Sequence, residues 1–213
     1  KGTLPEFPAG KPLFVFASHF HADHYAPVIF QLGEKRENVF YILSKEIGKK
    51  IPEEYRKRYK DRIRLVKAGE RFCLNISEES LIVETFHSTD EGVAFWLSCE
   101  GKEIYHAGDL NNWWWEGEDM AWNRNMAASY KQEMKKLSGR TADLAFIPVD
   151  PRQEQWFYLG VAGFMEQADT KWIFPMHFWE DYTIIPKLIE HPASEGWRDR
   201  IVEIHKEGEE FIR

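Results

Sequence analysis

Short apolar runs bounded by glycine, proline and charged turn residues recur along the chain and dominate its predicted structure. Runs of four to eight residues that are rich in β-branched and aromatic side chains are typical of half-buried or buried strands. The pattern predicts nine strands: Leu13–Ala17, Val39–Leu43, Ile63–Val66, Leu81–Thr85, Val93–Ser98, Glu103–His106, Leu144–Pro148, Trp172–Pro175 and Ile201–Ile204.

Helical periodicity separates some of these runs and is missing between others. The middle of the chain, residues 81–106, alternates strands with short turns alone. Such a mixture predicts α+β or α/β layers in which helices cover sheets. Its length of 213 residues, with no repeat and no low-complexity linker, predicts one domain over residues 1–213. The predicted helices are Pro27–Lys35, Pro52–Tyr59, Asn123–Leu137, Val161–Ala168 and Thr183–Glu190.

The charge balance disfavours nucleic acid as a partner. The formal net charge is −7, whereas proteins that coat phosphate backbones are basic. Residues 45–67 are a local exception, with ten lysines or arginines against four acids. We interpret this stretch as a solvated helix and its flanks. The alternative is a basic rim that attracts anionic substrates.

Two cysteines, Cys73 and Cys99, are too few for a disulfide framework and indicate free thiols in a reducing compartment. No apolar run approaches the ~18 residues of a membrane span. We therefore expect a cytoplasmic protein with a small-molecule substrate and no membrane partner. The sequence leaves the oligomeric state open.

Metal-ligand chemistry is concentrated in the stretch A-S-H-F-H-A-D-H-Y, residues 17–25. Side chains two apart on an extended backbone point the same way. Imidazole and carboxylate together suit zinc, and also iron or manganese. His87, Asp109 and His177 follow later, each at or just beyond the end of a predicted strand. Binding residues gather at such positions on rigid scaffolds, so the sequence predicts a site for two neighbouring metal ions.

Four motifs in order, S-H-F-H-A-D-H, F-H-S-T-D-E-G, H-A-G-D-L and P-M-H-F, resemble the metallo-β-lactamase superfamily over nearly the whole chain. Within it the chain looks most like the group that includes the ascorbate-phosphate lactonases. The resemblance implies an α+β fold, a four-layer αββα sandwich with the metals at one edge. Only 17 residues precede the first motif, so we expect the given sequence to lack the first strands of the sandwich. The resemblance places an aspartate that steadies a metal ligand on a strand of that missing part.

The resemblance also implies a role for each candidate ligand. His19, His21 and His87 would hold the first metal. The second metal would be held by three others, Asp23, His24 and His177, and Asp109 would bridge the pair. Two divalent ions are implied, zinc first, with manganese or iron as alternatives. Iron-bearing relatives usually carry glutamate where this chain has His21, which favours the hydrolytic branch.

The expected activity is that of a dinuclear metal-dependent hydrolase, with Asp23 and Asp109 as catalytic residues. A metal-bridging hydroxide would attack an ester, lactone or phosphodiester bond of a small anionic substrate. One alternative is an iron-bearing redox or oxygen-handling protein of the same fold. Another is a phosphodiesterase that acts on nucleic acid and lacks a cap domain.

Three residues are predicted to contact the substrate: Arg152, Asn111 and Trp113. Arg152 lies beyond a predicted strand, and its guanidinium fork suits carboxylate or phosphate. The alternative for Arg152 is a structural ion pair with a nearby acid. For the tryptophans the alternative is packing of loops onto the core, because indole buries a large area.

Overall fold

Two β-sheets form the framework of this computed structural model, which describes residue 8, residues 10–76 and residues 79–212. The first sheet has three parallel strands in the order β1-β2-β3. They are β1 (Leu13–Ala17), β2 (Val39–Ser44) and β3 (Ile63–Val66). These strands coincide with three predicted ones, because each is rich in the apolar residues that a covered parallel sheet requires, although β3 includes the exposed Arg64.

The second sheet has six strands in sequence order, antiparallel from β4 to β7 and parallel from β7 to β9. Strands β5, β7, β8 and β9 therefore all run in one direction and end at the same edge of the sheet. The strands are β4 (Arg71–Ile76), β5 (Glu79–His87), β6 (Val93–Cys99), β7 (Lys102–His106), β8 (Thr141–Pro148) and β9 (Asp169–Met176).

Helices cover the outer face of each sheet. The first sheet buries Phe30, Ile47 and Tyr59 beneath the connections that include α1 and α2. The second sheet is covered by the other three helices, with Tyr130, Phe164 and Leu188 in the shared core. The helices are α1 (Gln31–Lys35), α2 (Glu53–Arg58), α3 (Met120–Met134), α4 (Leu159–Met165) and α5 (Ile184–Glu190).

The inner faces of the two sheets pack on each other. Ile42 and Val66 of the first sheet share a core with Val83 and Phe95 of the second. The rings of Phe16 and Phe95 meet edge to face, 5.2 Å between centroids. The layers therefore run helix, sheet, sheet, helix, and the predicted four-layer αββα sandwich is confirmed.

Two of the strand assignments differ from the prediction. Ile201–Ile204 is not a strand, because only Ile201 makes a bridge, to Ile173, beyond the edge of β9. Strand β4 was not predicted. Its residues alternate between exposed and half-buried, as in an edge strand with one solvated face, and its cysteine and asparagine conceal that alternation in the sequence.

The connections at one edge of the sandwich bring the motif residues together. Strands β1, β7, β8 and β9 are followed there by His19, Asp109, Asp150 and His177. Ligands of open α/β sheets gather beyond the carboxyl ends of strands in the same way. Among the residues that the structure describes, no helix is both long enough and apolar enough to cross a membrane.

Candidate metal centre

The loop that carries the first motif is fixed to the second sheet. Val93 N donates to the carbonyl of Ser18 at 3.0 Å, directly before the fully buried His19. Gly92 has a positive φ of 73°, and a Cβ there would lie 1.9 Å from the Ser18 oxygen. Only glycine allows the backbone at residue 92 to approach the backbone at Ser18 this closely. The glycine of the D-E-G turn therefore helps to place His19.

The first group of candidate ligands contains His19, His21, Asp90 and Asp109. Nε2 of His19 lies 3.0 Å from Nδ1 of His21 and 3.4 Å from Oδ2 of Asp109. Nδ1 of His21 lies 3.9 Å from Oδ2 of Asp90. Ligand atoms about 2.0 Å from a tetrahedral zinc ion lie about 3.3 Å from one another, so these separations fit one divalent cation.

The second group contains Asp23, His24 and His177. Oδ2 of Asp23 lies 3.3 Å from Nε2 of His24 and 3.5 Å from Nε2 of His177. Two imidazoles and one carboxylate are a common donor set for zinc or iron. The Asp23 side chain is 38% exposed, so this group is open to solvent on one side.

Asp109 stands between the two groups and turns one oxygen to each. Oδ2 faces His19, whereas Oδ1 lies 3.1 Å from Nε2 of His24 and 3.7 Å from Nε2 of His177. The His24 and Asp109 atoms lack hydrogen-bond geometry, and both are buried with no hydrogen-bond partner among the described residues. Buried polar atoms normally have partners. Cations in the two groups would satisfy both atoms, so the residues present fit two metal ions.

Burial and neighbouring charges shift the pKa values of two candidate ligands, His19 and Asp109. Burial, aided by His24, lowers the pKa of His19 to about 4, so this imidazole is neutral near pH 7, as a metal ligand must be. Burial alone would raise the pKa of the Asp109 carboxyl, but His24, His177 and His19 hold it below its usual value. Asp109 is therefore ionised and available to cations.

Asp150 supports His177 from behind. It follows β8, is fully buried, and its Oδ2 lies 2.9 Å from Nδ1 of His177. A carboxylate partner fixes the ring and leaves Nε2 for the metal. Although burial acts in the opposite direction, His177 and Arg152 hold the pKa of Asp150 far below its usual value. Asp150 was not among the predicted site residues. Its signal was an acid directly after a buried run.

His87 is not among the gathered ligands. Its side chain is exposed, and its Nδ1 contacts the carbonyl of Ser88 at 2.5 Å. The next residues fold back, with Ser88 N donating to Gly92 O at 3.4 Å. That turn carries Asp90 to His21. The structure thus places Asp90 in the position expected for His87, and the signal for it was the acid in H-S-T-D-E-G.

Asn111 does not reach the solvent. It is fully buried, its Nδ2 donates to Gln153 at 2.9 Å, and its backbone N donates to Thr89 at 3.0 Å. The amide therefore joins the loops after β5, β7 and β8 and has no surface for a substrate. The prediction that Asn111 binds substrate is corrected by this burial.

Trp113 is also buried, but its ring borders the cavity, and its Nε1 donates to the carbonyl of Asp109 at 3.0 Å.

Arg152 lies at the cavity, as its predicted substrate role requires, and also forms the structural ion pair that was the alternative. Its Nε and Nη2 contact the Asp150 carboxylate at 2.5–3.0 Å, which is a structural ion pair. Its side chain is nevertheless 55% exposed and lines the cavity over the candidate ligands. This cavity has a volume of about 360 Å³, and its lining includes His21, Asp23, Asp109 and His177.

Comparison with known proteins agrees with this architecture. No protein-family model and no curated protein matches the chain. Among solved structures, CmlA, a diiron β-hydroxylase from Streptomyces venezuelae, matches with a TM-score of 0.53 and 11% identity. The match covers 90% of this chain but 43% of CmlA, so the chain spans less than half of that protein. At this identity the likeness shows the fold alone.

Two weaker structural matches lie below a TM-score of 0.5. The metallo-β-lactamase fold protein YhfI from Bacillus subtilis matches at 0.45 with 12% identity, covering 88% of this chain and 72% of YhfI. The short form of human tRNase Z matches at 0.41 with 13% identity, covering 84% of this chain and 76% of that one.

Proposed function

We propose that this chain is a dinuclear metal-dependent hydrolase of small anionic esters, lactones or phosphodiesters. The observation that carries the proposal is the position of Asp109, whose two oxygens face two separate groups of ligand atoms. A carboxylate with each oxygen directed at a different imidazole is suited to bridge a pair of cations. The lactonase-like branch and a cytoplasmic location stay predictions from the sequence.

Zinc is the proposed metal at both positions, with manganese or iron as alternatives. The two groups contain four imidazoles and three carboxylates, donors that these metals share. Bound cations would polarise the scissile bond and lower the pKa of a bound water to about 7.

The residues of the chain supply position and proton handling. Of the two carboxylates that lie near His177, Asp23 is the more exposed, 38% against 5% for Asp109. It can therefore orient a water in the cavity and accept its proton. Trp113 holds the carbonyl of Asp109 and with it the turn that presents the carboxylate. Arg152 offers a fixed positive charge at the cavity wall, where an anionic substrate group can bind.

The test is metal analysis followed by an activity panel. Purified protein should bind two zinc or manganese ions per chain, and the loaded protein should hydrolyse some members of a set of chromogenic esters, lactones and phosphodiesters. Asp109→Ala should bind no more than one ion and lose nearly all turnover while it keeps the wild-type circular dichroism spectrum. Wild-type metal content or turnover in that variant would refute the bridging role.

An iron-bearing, oxygen-handling protein is the second candidate. Asp90 in the first group supports it, because a third carboxylate shifts the donor set towards iron and manganese. The fold is also shared with a protein described as a diiron β-hydroxylase. Anaerobic loading with ferrous iron separates the two candidates. Coloured protein that consumes oxygen with a reductant, and a zinc form without hydrolytic activity, would favour this second function.

A further inference from the structure

Beside the candidate ligands the cavity is lined by indole and guanidinium groups. The guanidinium of Arg152 lies 4.6 Å from the ring centroid of Trp179 and 5.8 Å from that of Trp115. Both distances are within the range of cation–π contacts. Trp115 in turn stacks on Trp113 at 5.7 Å with 3° between planes. We call Trp115, Arg152 and Trp179 the tryptophan–arginine wall.

Exposure distinguishes this wall from ordinary loop packing. All nine tryptophans lie in the described part of the chain, and two of them, Trp122 and Trp179, are exposed, at 37% and 54%. Both line the cavity over the metal ligands. Tryptophan is usually well buried, so two exposed indoles at one cavity indicate a surface that a ligand covers.

The wall is held in place before any ligand arrives. Asn123 is buried and hydrogen-bonds both the backbone N and the carbonyl of Trp115 at 2.9 Å. Asp150 is fully buried and holds Arg152 through Nε and Nη2, which leaves Nη1 outside that ion pair. The guanidinium can therefore keep its plane and still bind an anion.

The loop that presents Trp179 has an unusual backbone. His177, Trp179 and Glu180 all have positive φ values, 65°, 52° and 63°. Residues other than glycine rarely adopt this region, and clusters of them occur where function requires strain. The exposed indole is thus held in a costly conformation, with its ring edge-on to His177 at 5.3 Å and its Nε1 donating to Oδ2 of Asp150 at 3.4 Å.

We propose that the tryptophan–arginine wall binds a planar aromatic group that carries a carboxylate or phosphate. The ring would stack on the indoles, and the anion would meet Nη1 of Arg152. Three carboxylates in the ligand groups would offset three of the four positive charges of two divalent cations, so Arg152 is the group that selects an anion. The inference names the substrate class of the proposed hydrolase, but the wall contains none of the candidate metal ligands.

The experiment compares paired anions that differ by one ring. Isothermal titration measures phenylphosphonate against methylphosphonate, and benzoate against acetate, with zinc-loaded protein. In the wild type each phenyl compound should bind about tenfold more tightly, a difference of about 1.4 kcal/mol. Trp179→Ala should reduce that preference to less than about threefold, and Trp179→Phe should retain most of it because a flat ring remains. The control Val28→Ala removes an equally exposed apolar group elsewhere and should change nothing.

Substitution of the guanidinium separates charge from shape. Arg152→Lys keeps the positive charge but loses the plane. Methylphosphonate should therefore bind within about twofold of the wild type, whereas phenylphosphonate should lose several-fold. Equal losses for both probes would show that Arg152 acts through Asp150 alone and would overturn the proposal. No binding of either phenyl probe to the wild type, or equal binding of phenyl and methyl probes, would also overturn it.

Repeating the titration after removal of metal separates this inference from the proposed function. Metal-free protein should bind all four anions more weakly, because Asp23, Asp90 and Asp109 then repel them. The phenyl-to-methyl ratio should persist, since the wall needs no metal. A phenyl preference in zinc-loaded or manganese-loaded protein that hydrolyses none of the esters, lactones and phosphodiesters would refute the hydrolase and leave the binding site. Hydrolysis by protein that shows no preference for the phenyl compounds would support the hydrolase and refute the binding site.

Discussion

His177 and Asp150 follow adjacent parallel strands, and their side chains meet with Nδ1 of His177 2.9 Å from Oδ2 of Asp150. The register explains the meeting, because Pro148 pairs with Met176 and Val149 N donates to the Met176 carbonyl at 2.8 Å. The carboxylate keeps the proton on Nδ1. Nε2 is therefore the nitrogen that faces Asp23 and His24 and can bind a cation.

Asp150→Asn should weaken the second cation and spare the first. The amide removes the charge that orients His177, and losses of this kind cost about 10–100-fold in metal affinity. Competition with a chromophoric chelator measures both affinities. Asp143→Asn is the matched control, because it removes the charge of an acid within β8 that binds Lys171 rather than a candidate ligand. Unchanged second-site affinity in Asp150→Asn would contradict the supporting role.

Gly160→Ala should destabilise the fold beneath the site. A Cβ at Gly160 would lie 1.8 Å from Oδ1 of Asn111, and Asn111 is fixed by Gln153 and Thr89. Overpacking of a tight core costs about 1–3 kcal/mol, which urea denaturation detects. Gly196→Ala has open space around its new methyl and should leave the free energy of unfolding nearly unchanged. Equal stability of the two variants would contradict the tight contact.

The fold was predictable where hydrophobicity alone decides structure. The three strands of the first sheet are mainly apolar, with Arg64 as the one charged residue among them, and the structure confirms each one. Strand β4 was missed because an edge strand with one wet face, R-F-C-L-N-I, needs little apolar surface. Ile201–Ile204 failed for the opposite reason. It is apolar enough, but beyond β9 only Ile201 makes a bridge.

The candidate ligands were predictable where they are close together in sequence. They were less predictable where the path of a loop determines which side chain reaches the site. His19, His21, Asp23 and His24 lie within one turn of chain, and the structure keeps them together. Asp90 replaces His87 because the turn after β5 folds back on itself, a path that composition does not reveal. Asp150 becomes visible only once β8 and β9 are known to be parallel neighbours.

Acid should destabilise the metal-free protein through His106. Burial, reinforced by His24, lowers the pKa of His106 from 6.5 to about 4, and Gly108 N donates to its Nδ1. Between these values the unfolded chain takes up a proton that the folded chain refuses, so the free energy of unfolding falls as pH falls. One such proton contributes up to about 1.4 kcal/mol per pH unit. The free energy of unfolding measured with urea should therefore depend less on pH between 6.5 and 4.5 in His106→Gln than in the wild type.

The control for this pH series is His205→Gln, because His205 is 63% exposed and far along the chain in the C-terminal segment. It should leave the slope unchanged. Burial lowers the pKa of His19 to about 4 as well, so His106→Gln should remove part of the slope and not all of it. A slope identical to that of the wild type would show that His106 does not resist protonation.

Asp90 and His87 offer the sharpest test of the first metal position, because they lie three residues apart in one motif and the structure separates them. Asp90 belongs to the group with His19 and His21, whereas the His87 ring faces away and contacts Ser88. If supporting residues cost about 10–100-fold in affinity, loss of a direct ligand should cost at least about a hundredfold. Asp90→Ala should therefore abolish tight binding of the first cation. His87→Ala should stay within about twofold of the wild type. Chelator competition on both variants decides the matter, with Asp90→Asn as the charge-only control. Selective loss in His87→Ala would instead restore the histidine that the motif order implied.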